Sequence, residues 1–180
     1  MDALRHFVYS HFEHVLFGLL LLSRIGDVLS TYLATPKLRL EANPIARRLR
    51  WPFAIATVLV SFVAYVDTTL AVMLLVPCLL ICASNFSKVW MLRTMGEDAY
   101  LEMLVGTASR GNLSRAIVGV LASAAFTALA GVLLMILSTE RTWGFPFGAG
   151  IVVFAAVQVY FGVLSYRRIF RLARAQQVAL

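Results

Sequence analysis

The residues with the clearest chemical potential lie inside an apolar stretch near the start of the chain. Residues 15–34 are apolar enough to cross a bilayer, yet they contain Asp27, with Arg24 three positions before it. A carboxylate at membrane depth is costly unless it faces protein, water or a cation, so its position predicts a functional site. A buried ion pair between Arg24 and Asp27 that only orients helices is the structural alternative.

Further polar residues can gather around this carboxylate. The first helix carries small or polar residues at i, i+4, i+7 and i+8, which places on one face Ser23, Asp27, Ser30, Thr31 and Ala34. The short segment that ends at Pro44 can bend back and bring Glu41 and Asn43 towards Asp27. Asn85, near the end of a later apolar stretch, lies at a compatible depth.

Carboxylates, amides and hydroxyls together form an oxygen-rich site. Such groups suit a hard divalent cation, or the ammonium and hydroxyl groups of a lipid head. We therefore predict a ligand-binding site formed by Ser23, Arg24, Asp27, Thr31, Glu41, Asn43 and Asn85. If a divalent cation binds there, its ligands are Asp27 and Glu41. The sequence assigns no catalytic residue and no other cofactor.

Common enzyme motifs are absent from the sequence. It has no His-Glu-x-x-His metalloprotease motif, no Gly-x-Ser-x-Gly elbow and no P-loop. We therefore expect a binding or accessory component of the membrane. The alternative is a membrane-embedded enzyme in which Asp27 and Glu41 hold a metal ion that activates water against a lipid. A small transporter comes third, because no inverted repeat is evident.

The composition predicts an integral membrane protein. Of the 180 residues, 61% are hydrophobic and 14% charged, and the mean hydropathy is +0.83. We predict a single all-α domain over 1–180, a polytopic bundle of five spans at 13–34, 45–66, 68–91, 115–138 and 148–168. Its parts are a three-helix unit (13–91), an interfacial helix (97–105) and two further spans (115–168). One long helix plus a re-entrant segment is the alternative for residues 45–91.

The basic residues predict the orientation. They cluster after the first span, between the third and fourth, and after the fifth: Lys37, Arg39, Arg47, Arg48 and Arg50; Lys88, Arg93, Arg110 and Arg115; Arg167, Arg168, Arg171 and Arg174. The other connections hold Asp67 and the pair Glu140 and Arg141. The positive-inside rule then places the amino terminus outside and the carboxyl terminus in the cytoplasm of a prokaryotic inner membrane. The charge of +7 indicates membrane lipids rather than nucleic acid as partners.

Two more patterns have both a functional and a structural interpretation. The fourth span has a ridge of small residues at four-residue intervals, Gly119, Ser123, Thr127 and Gly131. It predicts close packing within the chain or, alternatively, against a second copy or a partner subunit. The outer amino terminus has metal-ligand residue types, His6, His11, Glu13 and His14. Their spacing matches no closed zinc set, and histidines that bridge lipid and water are the alternative.

The polar motifs also carry a family resemblance. They are an Asp-x3-Thr helix, a Glu-x-Asn-Pro loop and an Asn at the end of the third helix, formed by Asp27, Thr31, Glu41, Asn43, Pro44 and Asn85. Over about residues 20–90 the chain resembles a small prokaryotic family of multi-pass membrane proteins of unknown function. It departs from that family by lacking a basic residue inside the second span and by adding two helices. The resemblance implies that the first three helices form one unit, and it implies no activity.

Overall fold

The described backbone is helical. The computed structural model describes residues 10–41, 43–138 and 143–178, and these contain no strand, which confirms the all-α class. The helices are α1 (Phe12–Ala34), α2 (Pro44–Ala56), a 3₁₀ helix (Thr57–Tyr65), α3 (Thr68–Met95), α4 (Glu97–Ser109), α5 (Leu113–Leu137) and α6 (Gly144–Val178). Four of them, α1, α3, α5 and α6, are long and apolar enough to cross a membrane.

Side-chain caps fix where three of the helices begin. Asn43 caps α2 by accepting a hydrogen bond from the amide of Ile45 at 2.9 Å, and Pro44 fills the first helical position. Asp67 caps α3 by accepting from the amide of Leu70 at 2.9 Å. Both side chains thereby satisfy an amide in the first turn of their helix. Asn112 starts α5 in the same way.

The helices α1 and α3 lie side by side and run in the same direction. Near their first turns, Leu16 and Val72 belong to one buried apolar cluster. Farther along, the Asn85 side chain donates a hydrogen bond to Asp27 at 2.9 Å. The residues that connect the end of α1 to the start of α3 must therefore run back along the length of these helices.

Residues 44–65 make that return, antiparallel to α1. Three contacts show it, in order along the chain: the rings of Trp51 and Tyr32, the side chains of Thr57 and Arg24, and the rings of Tyr65 and His14. The predicted single α-helical span over 45–66 is not what forms. Pro52 removes one helical hydrogen bond, the helix breaks at Arg50 with a φ of 55°, and residues 57–65 are 3₁₀.

The helices α5 and α6 form an antiparallel hairpin. A Cβ atom built on Gly131 would lie 2.7 Å from the carbonyl oxygen of Gly148, so these two backbones touch. Near the middle of the hairpin, the Gln158 amide donates to the Ser123 hydroxyl at 3.0 Å. α6 also packs against α3, where a Cβ on Gly150 would lie 2.8 Å from the carbonyl oxygen of Met73.

The helix α4 docks on the last turns of α6. Val105 and Ala108 are buried in one cluster with Ile169 and Ala173. This packing explains why two elements are longer than predicted: the interfacial helix predicted at 97–105 extends to Ser109, and the last helix continues past residue 168. The apolar side of α4 is covered in part by α6.

Candidate functional site

The centre of the candidate site is an ion pair inside α1. The Arg24 guanidinium lies 3.2 Å from the carboxylate of Asp27, and the two side chains are only 14% and 16% exposed. Arg24 is about 18 Å from the first residue of α1 at helical rise, and Asp27 is about 10 Å from its last. The pair therefore lies deep within a helix long enough to cross a membrane.

Arg24 connects α1 to two neighbouring segments. Its guanidinium donates to the Thr57 hydroxyl at 2.7 Å, where the 3₁₀ helix begins, and to the Cys78 sulfur on α3 at 3.4 Å. Its Nε–H is buried and has no hydrogen-bond partner among the described residues. A buried donor without a partner is uncommon, since leaving it unsatisfied costs free energy.

Asn85 brings α3 to the carboxylate. Its amide nitrogen donates to Asp27 at 2.9 Å and lies 3.4 Å from the Thr31 hydroxyl. Each carboxylate oxygen of Asp27 thus has a donor from the protein, Arg24 on one side and Asn85 on the other. A carboxylate has about four lone-pair positions, so Asp27 can still accept further hydrogen bonds.

A close approach of α1 and α3 and an apolar cluster border the site. A Cβ atom on Gly26 would lie 2.9 Å from the Cys82 sulfur, so α1 and α3 approach closely because residue 26 has no side chain. Beyond the pair, towards the first turn of α1, lies the buried apolar cluster of Leu16, Leu20, Ala64, Ala71, Val72 and Leu75. Thr31 and Asn85, on the opposite side of the pair, are half-buried.

Ser23, which the sequence assigned to the site, bonds within its own helix. Its buried hydroxyl donates to the carbonyl oxygen of Leu20 at 2.8 Å. Ser30 likewise donates to the carbonyl oxygen of Asp27 at 3.0 Å. Such local bonds satisfy a hydroxyl in an apolar setting without any ligand.

Glu41 and Asn43 belong to a second polar group, in the loop between α1 and α2. The Glu41 carboxylate accepts from the amide of Asn43 at 2.7 Å, and Arg168 of α6 donates to the Glu41 carbonyl oxygen at 3.0 Å. The partners of Asp27 are different residues: it pairs with Arg24 and accepts a hydrogen bond from Asn85. Within the described residues, no three His, Cys, Asp or Glu side chains form a group able to hold a metal ion.

Glu97, the first residue of α4, holds this loop by its carboxylate, and the sequence analysis assigned it no contact. It is 7% exposed. Its carboxylate accepts hydrogen bonds from three backbone amides of the loop, those of Lys37, Arg39 and Leu40. The general preference for acidic residues in the first turn of a helix was the available signal, and it does not identify the partner.

Asp98 adds two ion pairs to the same loop. Its carboxylate lies 2.8 Å from the Lys37 ammonium and 2.9 Å from the Arg39 guanidinium. The hydrogen bond from Lys37, supported by the charges of Arg39 and Lys37, lowers the pKa of Asp98 below its ordinary value. The loop after α1 is therefore fastened to the start of α4.

The outer amino terminus and the small-residue ridge are partly described. His6 lies outside the described residues, while His14 and the Tyr65 hydroxyl share a hydrogen bond of 3.1 Å. On the ridge, Gly131 is buried against α6, whereas a Cβ on Gly119 would meet nothing within 4 Å. Glu140 and Arg141, part of the orientation argument, lie outside the described residues.

Comparisons of the chain with protein-family models, with curated proteins and with solved structures gave no match. The family resemblance over residues 20–90 therefore rests on the motif residues alone. Function has to be argued from the geometry of the site.

Proposed function

We propose that this chain is a prokaryotic inner-membrane protein that crosses the membrane five times and binds a phospholipid head group at Arg24 and Asp27. It acts as a binding or accessory component. The observation that carries the proposal is a partly exposed, oppositely charged pair at membrane depth in which Arg24 Nε–H lacks a partner among the described residues. An intramembrane charge pair of this kind is a functional-site hypothesis by default.

The direction of the helices supports five crossings. Because α1 and α3 run parallel, two membrane-spanning helices in this arrangement require a third crossing between them. Residues 51–65 run antiparallel along α1, from Tyr32 to His14. With six α-helical and nine 3₁₀ residues this segment is about 27 Å long, close to the roughly 30 Å of a bilayer core.

The orientation follows from the end at which the basic residues gather. The loop after α1, the end of α3, the turn between α4 and α5 and the end of α6 lie at one end of the bundle and carry the three basic clusters. The positive-inside rule places this end in the cytoplasm. The buried cluster around Leu16 and Leu20 then closes the outer half of the site, so a ligand enters from the cytoplasmic leaflet.

The polar atoms that remain favour a head group with both signs of charge. Asp27 and the Thr31 hydroxyl can accept hydrogen bonds from a primary ammonium group. The Nε–H of Arg24 can donate to a phosphate oxygen. An ethanolamine phospholipid has both groups. Its ammonium would pair with Asp27 and its phosphate with Arg24.

The other two candidate functions fit this geometry less well. A divalent cation at Asp27 would lie beside the positive charge of Arg24, 3.2 Å from the same carboxylate. The metal-dependent enzyme needs Glu41 as the second ligand, and Glu41 accepts a hydrogen bond from Asn43 in the loop beyond α1. The ethanolamine head group is therefore the ligand class that we propose.

A lipid-dependent melting experiment tests the proposal. The purified protein is melted in detergent with added ethanolamine phospholipid, choline phospholipid of the same acyl chains, or magnesium chloride. We expect the ethanolamine lipid to raise the melting temperature by several degrees, since saturating a site stabilises the folded state by about 2.7 kcal/mol at a hundredfold excess over Kd. The choline lipid has no N–H to donate to Asp27 and should give a smaller shift.

Matched variants locate the effect. Asp27→Asn and Thr31→Val should abolish the difference between the two lipids, whereas Asp98→Asn makes the same chemical change in the first turn of α4 and should retain it. If all variants keep the wild-type lipid response, or if the wild type does not discriminate the lipids, Arg24 and Asp27 form a structural pair only. A response to magnesium that Asp27→Asn removes would favour the cation reading instead.

A further inference from the structure

We infer that the first turns of α2 and the adjoining part of α6 form a second lipid site, for anionic phospholipids of the cytoplasmic leaflet, with Arg47, Arg48 and Arg168 as its cations. This site is distinct from the Arg24–Asp27 site in place and in ligand charge. It rests on the proposed function only for the orientation that puts these residues in the cytoplasmic leaflet.

The first turns of α2 have the pattern of a helix that lies on a membrane surface. Ile45 and Leu49 are one helical turn apart and share a face, and they are 54% and 53% exposed. Arg47 projects from the other side of the helix, Arg48 lies at the edge of the apolar face, and both are exposed. An apolar face with arginines opposite it places a helix at the boundary between head groups and acyl chains.

The break at Arg50 lets the first turns of α2 lie parallel to the membrane surface. The backbone of Arg50 has a φ of 55°, a left-handed conformation that is uncommon for a residue with a side chain. The residues after the break run along α1, where the rings of Trp51 and Tyr32 meet at 5.4 Å. Aromatic side chains of this kind are enriched at membrane interfaces, so the break coincides with the expected level of the head groups.

Arg168 adds a third cation from α6. It is half-buried, and it lies close enough to Arg47 for the two positive charges to interact. Arg168 donates to the Glu41 carbonyl oxygen at 3.0 Å. The two carboxylates whose charges act on it also accept from the loop backbone: Glu41 from the amide of Asn43, and Glu97 from loop amides such as that of Lys37. A phosphate at this point would relieve the repulsion between the two arginines.

An anionic phospholipid fits both halves of this surface. Its phosphate and charged head group can bind the arginines, which form strong hydrogen bonds with phosphate oxygens. Its acyl chains can cover Ile45 and Leu49. Basic residues next to a membrane crossing bind anionic lipid with a contribution from each charge.

Native mass spectrometry of the purified full-length protein with added phosphatidylglycerol or phosphatidylcholine tests this inference. We expect preferential retention of phosphatidylglycerol. The double variant Arg47→Gln, Arg48→Gln should bind phosphatidylglycerol about tenfold more weakly. The matched control is Arg110→Gln, Arg115→Gln, which removes the same number of exposed charges from the turn between α4 and α5 and should bind almost as well as the wild type.

Two further variants separate the alternatives. Arg47→Lys, Arg48→Lys keeps both charges and should retain most of the binding, which excludes a folding defect as the cause of the loss. The measured quantity here is the loss of phosphatidylglycerol in Arg47→Gln, Arg48→Gln, not the discrimination between ethanolamine and choline lipids, so failure of the proposed function is distinguishable from failure of this site. Equal losses in the two glutamine double variants would overturn the site in favour of a diffuse electrostatic surface, and absence of lipid preference in the wild type would also overturn it.

Discussion

At the scale of single residues, two carboxylates of this protein, Glu97 and Asp27, are held by specific donors. Glu97 is the clearest case, because three loop amides donate to one buried carboxylate. Asp27 is held by Arg24 and Asn85 in a similar way. Hydrogen bonds to an ionised group contribute more than neutral ones, so these carboxylates should be sensitive to isosteric replacement.

Glu97→Gln should lower the free energy of unfolding by about 1–3 kcal/mol, because the amide removes the charge and one of the two acceptor oxygens. Thermal melting of the purified protein in detergent measures the change. Glu102→Gln is the control, since Glu102 is exposed on the same helix and should have little effect. Equal melting temperatures for wild type and Glu97→Gln would contradict the role given to this carboxylate.

The ion pairs of Asp98 predict a pH dependence of known sign. The Lys37 hydrogen bond, together with the charges of Arg39 and Lys37, lowers the pKa of Asp98 below its ordinary 3.8 in the folded protein. Its stabilising contribution is therefore complete above that value and is lost as the pH falls through the lowered folded pKa. Melting curves of wild type and Asp98→Asn should differ at neutral pH and converge once the pH has fallen through the lowered pKa of the folded protein. A constant difference over the whole range would show that Asp98 does not titrate this way.

At the scale of helices, the apolar runs and caps were sufficient to predict α1, α3 and α5 closely. The return segment, residues 44–65, was harder to predict. Pro52 and four β-branched residues in the 3₁₀ helix disfavour the α-helix that hydrophobicity alone predicts. The Arg24–Asp27 pair was predictable because both residues lie on one helix at i and i+3. The contact of Glu97 with the loop was not, since 57–60 residues separate the partners and no periodic pattern joins them.

The ridge on α5 gives a prediction at this scale. Gly131→Leu should destabilise the protein strongly, because its Cβ would already lie 2.7 Å from the Gly148 carbonyl oxygen. Gly119→Leu should have a small effect on stability, since the same construction at Gly119 meets nothing within 4 Å. Melting temperatures of the two variants in detergent compare them. Similar losses for both would mean that Gly119 packs against a second copy or another subunit, which a change in oligomer size on gel filtration would reveal.

At the scale of the whole molecule, α1 and α3 run parallel, so the return segment has to cross the membrane if both of these helices cross it. The contacts of Trp51 and Tyr65 extend along most of α1, from Tyr32 to His14. If the segment were a surface piece, the ends of α1 and the start of α3 would share one side of the membrane, and the two helices could not lie side by side in the same direction. The fold and the predicted orientation therefore depend on the same crossing.

Cysteine accessibility tests that crossing directly. In a background where Cys78 and Cys82 are replaced by Ala, Val66→Cys and Glu102→Cys are each treated with a membrane-impermeant maleimide in intact cells. Val66 follows the 3₁₀ helix and is 85% exposed, and Glu102 is exposed on α4. We expect position 66 to react in intact cells and position 102 only after permeabilisation, because the positive-inside rule predicts that the basic end of the bundle, where α4 lies, faces the cytoplasm. Lys37→Cys should behave like Glu102→Cys, since Lys37 pairs with Asp98 at the same end of the bundle. Reaction of positions 37 and 66 from the same side would mean that residues 44–65 do not cross, and both the five-crossing topology and the cytoplasmic entry to the Arg24–Asp27 site would then fail.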